Sequence, residues 1–216
     1  MKTKALLIVA LSTTVFALGA KAQDKTTFGV RAGVNFQNIN GKDESGHDYD
    51  YKMKTGFNIG VNAEVPIAPD FYVQPGVLFS TKGAKMEITG LDDAKINLSY
   101  VEVPINLLYK PTLGAGKLLL GFGPYIGIAV GGKLKQGSND VDIQFKNDIS
   151  ATETKPTLKR MDFGGNLLAG YELSSKISFQ LNAQLGMSNL EPKVAGKKSD
   201  AKTKNTGFGI SVGYRF

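Results

Sequence analysis

Apolar side chains recur at every second residue in eight stretches of this chain, and four long connections alternate with three short ones between them. The closing stretch is the plainest. Phe208, Ile210, Val212, Tyr214 and Phe216 fall on one side, and Gly207, Gly209, Ser211, Gly213 and Arg215 on the other. The first, at 27–39, opposes Phe28, Val30, Ala32, Val34 and Phe36 to Gly29, Arg31, Gly33, Asn35 and Gln37. Similar alternation marks strands around 57–65, 71–79, 101–109, 118–130, 162–173 and 177–187. The long connections are predicted at 40–54, 81–95, 131–160 and 189–205, and the short ones at 66–70, 110–116 and 174–176. A period of two over this length demands a sheet with one apolar and one polar face.

The composition of the two faces decides which of them meets the core. A soluble barrel of lipocalin type would bury the apolar face and leave a charged, glycine-poor surface. Here the polar face is glycine, Asn, Gln and Ser with a few charges, which suits a crowded barrel interior. The apolar face carries no Lys, Arg, Asp or Glu in any predicted strand, and a charge there at mid-membrane would cost ~2–4 kcal/mol. An even strand count with short turns at one end and long loops at the other completes the pattern of a bacterial outer-membrane barrel. The predicted fold is therefore all-β, an eight-stranded antiparallel up-and-down transmembrane β-barrel with both termini in the periplasm. Closure leaves no unpaired strand edge in the bilayer. Pro75, Pro104 and Pro124 fall inside predicted strands, where each removes a ladder donor, so bulges or kinks are expected at those positions.

Arg31, Glu64, Glu102, Asp162, Glu172 and Arg215 share the inward parity. Eight strands leave room only for side chains, and buried charge must be compensated. These six residues are expected to form a paired polar plug in the lumen. A narrow porin-like channel for small solutes is the alternative.

Composition adds the route of export. Lys2 and Lys4, an apolar run over 5–18, and Gly19-Ala20-Lys21-Ala22 follow the order of a secretory signal, with cleavage expected after Ala22 and a barrel domain over 23–216. Loss of Lys2, Lys4 and Lys21 lowers the formal charge from +7 to +4, a modest bias that speaks to solubility rather than to a nucleic-acid site. The chain has no cysteine, which rules out a disulfide framework. Its 42% hydrophobic content looks soluble, as it does for barrels generally, because lipid-facing and lumen-facing residues average out.

Several motifs, in order, carry a family resemblance: Tyr100-Val101-Glu102-Val103-Pro104-Ile105, Gly123-Pro124-Tyr125, Asp162-Phe163-Gly164, Gly170-Tyr171-Glu172 and Gly213-Tyr214-Arg215-Phe216. With them the chain resembles the PorT-like outer-membrane β-barrel domain family of Bacteroidota over nearly its whole exported length. The resemblance implies an integral eight-stranded barrel, usually without an assigned molecular role, and a name-giving member associated with protein secretion. Tyr214 and Phe216 resemble the terminal signal read by the barrel-assembly machinery during insertion, with Ser211 standing where that pattern usually has glycine.

Candidate chemistry is sparse. His47 is the only histidine, within Asp43-Glu44-Ser45-Gly46-His47-Asp48. A Ser/His/Asp hydrolase needs those groups held in fixed geometry by packed neighbours, which a loop tip does not offer, and the carboxylates lack the spacing of a calcium loop. Gly127 to Lys133 spells G-x-x-x-x-G-K, but Leu134 stands where a phosphate-binding loop needs Ser or Thr for magnesium. The inward Gly121, Gly123 and Gly127 instead read as space for Tyr125 and its neighbours. Lys193, Lys197, Lys198, Lys202 and Lys204 make a basic patch in the last external loop, which reads first as a solvated loop and second as a contact for lipopolysaccharide phosphates. The expectation is a monomer that is not an enzyme, has no cofactor, metal site or nucleic-acid partner, and has outer-membrane lipids for neighbours.

Overall fold

The computed structural model describes residues 25–87 and 92–216. The predicted export signal and its expected cleavage point lie outside the described residues. Eight long strands form the body: β1 Thr27–Lys42, β2 Lys52–Ala68, β3 Phe71–Met86, β4 Ala94–Tyr109, β5 Gly116–Gln136, β6 Met161–Glu172, β7 Ile177–Gly186 and β8 Lys202–Arg215. Each pairs antiparallel with its sequence neighbours. β1 pairs with β8 from Gly29↔Arg215 to Lys42↔Lys202, which closes the ring. Nothing helical occurs among the described residues.

Burial runs opposite to that of a soluble protein. Phe28, Val34, Phe57, Val61, Ile105, Phe122, Phe163, Leu181 and Ile210 stand exposed on the outer face, while Asn35, Glu64, Gln74, Asn106, Asp162 and Asn205 are buried inside. An exposed apolar band that encircles the molecule needs a lipid partner, and the strands are long enough for a bilayer span.

Several strands run further than the alternation of apolar residues suggests. β1 reaches Lys42, β3 Met86 and β5 Gln136, and β4 begins at Ala94. The apolar signal stops where the outer face leaves the membrane, but the ladder continues, so parts of the predicted loops at 81–95 and 131–160 are strand. The added length carries a second core at the long-loop end, where Ile39, Ala84, Leu98, Tyr100, Ala129 and Ile143 are buried together and Tyr51, Ile96, Leu134, Phe145 and Leu158 pack on them. An apolar cap thus sits over the polar lumen.

The prolines do not produce the expected bulges. Pro75 pairs with Ile105, Pro104 with Tyr125 and Pro124 with Gly165, and the register on either side of each is unshifted. Proline's fixed φ lies close enough to the extended region to keep the pleat, so the loss is one ladder hydrogen bond rather than a register step. The shifts occur elsewhere, between Met53 and Asn58, between Pro66 and Ala68, and between Ser99 and Tyr100. One inward glycine of β5 lies against a particular tyrosine. A Cβ at Gly127 would lie 3.2 Å from the Tyr100 ring, so this glycine makes room for Tyr100, which shares Lys82 with Tyr125.

Candidate functional site

Two clusters of buried charge fill the lumen, each built around a lysine that the alternation of the strands had left in a connection. Near the short-turn end, Lys110 follows the last residue of β4, and its backbone N–H donates to the Asp70 carbonyl across the β2–β3 turn. Its Nζ lies 2.8 Å from Glu64 Oε2 and 2.8 Å from Glu172 Oε2. Arg215 reaches the other oxygen of Glu64 through Nη2, and Gln74 Nε2 donates to that same oxygen at 3.3 Å. From Gln74 an amide chain crosses the barrel, with Asn106 Nδ2 donating to Gln74 Oε1 at 3.4 Å and Asn166 Nδ2 to Asn106 Oδ1 at 2.9 Å.

Toward the long-loop end, Lys82 projects inward from β3. Its Nζ lies 2.6 Å from Glu102 Oε1 and 3.4 Å from Asp162 Oδ2, and 4.6 Å and 5.3 Å from the ring centres of Tyr125 and Tyr100. Further donors reach both carboxylates. Asp162 accepts from Ser188 Oγ at 2.7 Å, Asn205 Nδ2 at 2.9 Å and Tyr125 Oη at 3.2 Å. Glu102 accepts from Gln184 Nε2 at 2.9 Å. Between the clusters, Arg31 Nη1 donates to Asn182 Oδ1 at 3.1 Å, and Asn182 donates to Ser211 Oγ at 2.8 Å. Arg31 has no carboxylate within ion-pair distance among the described residues.

The six charges expected in the lumen are all directed inward, but they are not sufficient among themselves. Within the six, only Arg215 and Glu64 form an ion pair among the described residues; the other contacts run through Lys82 and Lys110. Where Arg31, Asn35, Ser80, Glu102, Asn166 and Asn182 meet, the remaining space is about 20 Å³, room for a single water. The apolar cluster of Ile39, Leu98, Tyr100 and Ala129 closes the long-loop end above it.

The outer loops form an ordered crown. Residues 139–142 pair with the end of β5, Gln144–Phe145 runs parallel to Thr157–Leu158, and Asp148–Ile149 joins the small hairpin of Lys193–Val194 and Lys197–Lys198. The five-lysine patch divides here. Lys193 and Lys198 face each other on that hairpin, whereas Lys202 and Lys204 belong to β8, opposite Lys42 and Asn40 of β1.

The loop at 43–51 arranges itself around a carboxylate. Asp43 Oδ1 accepts from the backbone N–H groups of His47 at 2.9 Å and Ser45 at 2.8 Å. The imidazole Nδ1 stands 3.4 Å from Asp43 Oδ2, largely in solvent. The His47 N–H, foremost, holds Asp43 below its ordinary carboxylate value. Asp43 here acts as a turn-former, as Asp does through its own side chain; among the described residues no hydrogen bond joins the Ser45 hydroxyl to His47. The G-x-x-x-x-G-K segment is continuous β5 strand. No grouping of three or more metal-ligating side chains occurs among the described residues. At the C-terminus Tyr214 and Phe216 stand on the outer face with their rings edge to face, 5.4 Å apart.

A closed ring of eight antiparallel strands, apolar outside and polar inside, with short turns at one end and long loops at the other, defines an integral outer-membrane β-barrel. Residues 21–191 match the family described as "Outer membrane protein beta-barrel domain", and the chain belongs to it. It is an outer-membrane protein. Among solved structures it is similar to Ail, the attachment invasion locus protein of Yersinia pestis, at 14% identity, covering 89% of this chain and 100% of that one with a TM-score of 0.42. Neisserial surface protein A is similar at 13% identity, with 89% and 100% covered and a TM-score of 0.48. The outer membrane protein OprG of Pseudomonas aeruginosa is similar at 15% identity, with 88% and 95% covered and a TM-score of 0.48. No curated protein matches the sequence.

Proposed function

We propose that this barrel conducts no solute and acts as a monomeric anchor whose ordered external loops make the functional contacts. The observation that carries this reading is the filled lumen: the two ion clusters and the amide chain that crosses the barrel leave a space of about 20 Å³ among them, too small for a solute path. The crown of paired loop segments supports it, since loops held on a rigid scaffold are the usual place for binding. Nothing in this arrangement assembles a nucleophile with a base, so the reading is non-enzymatic. Within its family the chain is assigned to the PorT-like barrels of Bacteroidota on its strand motifs, which keeps a secretion-associated role as the second reading. Export is by a signal peptide cleaved after Ala22, and insertion uses Tyr214 and Phe216.

Planar-bilayer recording of the purified barrel tests the central claim. A filled lumen gives no stable conductance above background. Long-lived openings, enlarged in a Lys82→Ala variant, would establish the channel instead.

A further inference from the structure

A groove of about 560 Å³ runs along the outside of the barrel where the β6–β7 hairpin meets the last external loop. Its floor is Met161, Phe163 and Met187 and its rim carries Lys159, Lys193 and Lys198. We propose that this groove binds a phosphate-bearing lipid of the outer leaflet, with acyl chains on the floor and phosphate between the rim ammonium groups.

Height, charge and order support this occupant together. The floor residues continue the outward apolar parity of the membrane band and are exposed. From Tyr171 to Met161 along β6 is ten residues, and at roughly 3.3 Å each with a typical tilt near 40° that climbs about 25 Å, the height of the apolar band. Lys159 lies two residues beyond Met161, so the rim falls at the level of the headgroups. The three lysines face one carboxylate in the lining, Glu191, and that group is turned toward β8, where it accepts a hydrogen bond from Thr203 Oγ1. None of the three lysines is ion-paired among the described residues, although Lys159 Nζ donates to the Asn189 carbonyl at 3.1 Å. The rim is also fixed in place. Lys159 N–H donates to the Leu190 carbonyl at 2.7 Å, and Lys193 N–H to the Asn147 carbonyl at 2.9 Å. Leu190 is fully buried beneath them. A soluble anion would use the lysines and leave three large apolar side chains without a role; a membrane lipid uses both.

The test is native mass spectrometry of the full-length folded barrel in detergent, titrated with diphosphoryl lipid A, with the same lipid after removal of its phosphates, and with inorganic phosphate. The intact protein should retain one diphosphoryl lipid A through the detergent exchange. Lys193→Ala/Lys198→Ala should weaken that retention about 30-fold, from roughly a factor of five for each ammonium near a headgroup surface. Lys202→Ala/Lys204→Ala, which removes the same charge from β8, should keep it. Both pairs carry their charges at the surface, and an unboiled band that shifts on heating verifies that each variant is folded. Equal weakening by the two double variants would reduce the effect to diffuse charge and overturn the site. Equal retention of the dephosphorylated lipid, or displacement of lipid A by equimolar inorganic phosphate, would overturn it as well.

Discussion

Lys82→Met removes one cation from between two carboxylates and leaves the volume nearly unchanged. The lysine and both partners are almost wholly shielded from solvent, with side-chain exposures of 0%, 2% and 0% for Lys82, Glu102 and Asp162. At an effective dielectric near 20, charges separated by the observed 2.6 Å and 3.4 Å attract by about 6 and 5 kcal/mol. Most of that offsets the desolvation of three ions. What the variant loses is therefore set by the carboxylates left without a counter-charge, about 3–5 kcal/mol for a broken buried pair. Loss of the cation from the faces of Tyr100 and Tyr125 acts in the same direction. The assay is urea unfolding of the barrel in vesicles, followed by the loss of the fast-migrating unboiled band. A matched exposed pair, Lys52 with Asp50 at 3.2 Å, provides the scale, and Lys52→Met should change stability by less than about 1 kcal/mol. The double change Lys82→Met/Asp162→Asn should recover much of the loss, because it restores the balance of buried charge at three of each sign. A Lys82→Met barrel as stable as the parent would show that these carboxylates do not depend on the lysine, and the lumen account would fail.

Three further outcomes follow from the same geometry. Ile105→Arg puts a charge at the middle of the outer apolar band and should destabilise the vesicle-embedded barrel by ~2–4 kcal/mol, whereas Asn40→Arg, outward but above the band, should be neutral in the same unfolding assay. Phe216 is exposed, so Phe216→Ala should refold normally from urea into detergent yet accumulate less in the outer membrane of cells; impaired refolding in vitro would mean that the residue serves stability rather than assembly. For Asp43 the folded value lies below the ordinary 3.8, so ionisation supports the 43–51 turn above that pH, and the support fades as pH falls through the lowered value. The Ser45 amide resonance in NMR spectra should shift as pH falls below about 4, and Asp43→Asn should abolish that transition.

The barrel was legible in the sequence because the bilayer demands a strict rule: outward residues must be apolar for the whole span, and inward ones need not be. Phe208 to Tyr214 or Val101 to Tyr109 can be assigned to a face without knowledge of any contact. Above the membrane that rule lapses, since both faces meet water or loop. The outward signal in β3 ends at Phe79, and Thr81, Gly83 and Lys85 beyond it read as a connection, although the ladder to β4 continues as far as Met86. The ordered crown was hidden for the same reason. Its two-residue pairings are too short to leave a local period, and one of them, Lys193–Val194 with Asp148–Ile149, joins segments more than forty residues apart.

Lys82 and Lys110 were nonetheless recoverable, and the missing step was electrostatic. The inward set Arg31, Arg215, Glu64, Glu102, Asp162 and Glu172 holds two cations against four carboxylates, an imbalance that a closed, low-dielectric lumen cannot sustain. Two further cations had to point inward. Continuing the inward parity of β3 through Gln74, Leu78 and Ser80 leads to Lys82, and continuing that of β4 through Asn106 and Leu108 leads to Lys110. With both included, the buried charges balance at four of each sign, and each lysine lies within 3.5 Å of two of the carboxylates. Neutrality of the lumen is thus a constraint on where strands end, because it extends β3 past the point where its apolar face stops and carries the inward row of β4 one residue into the turn.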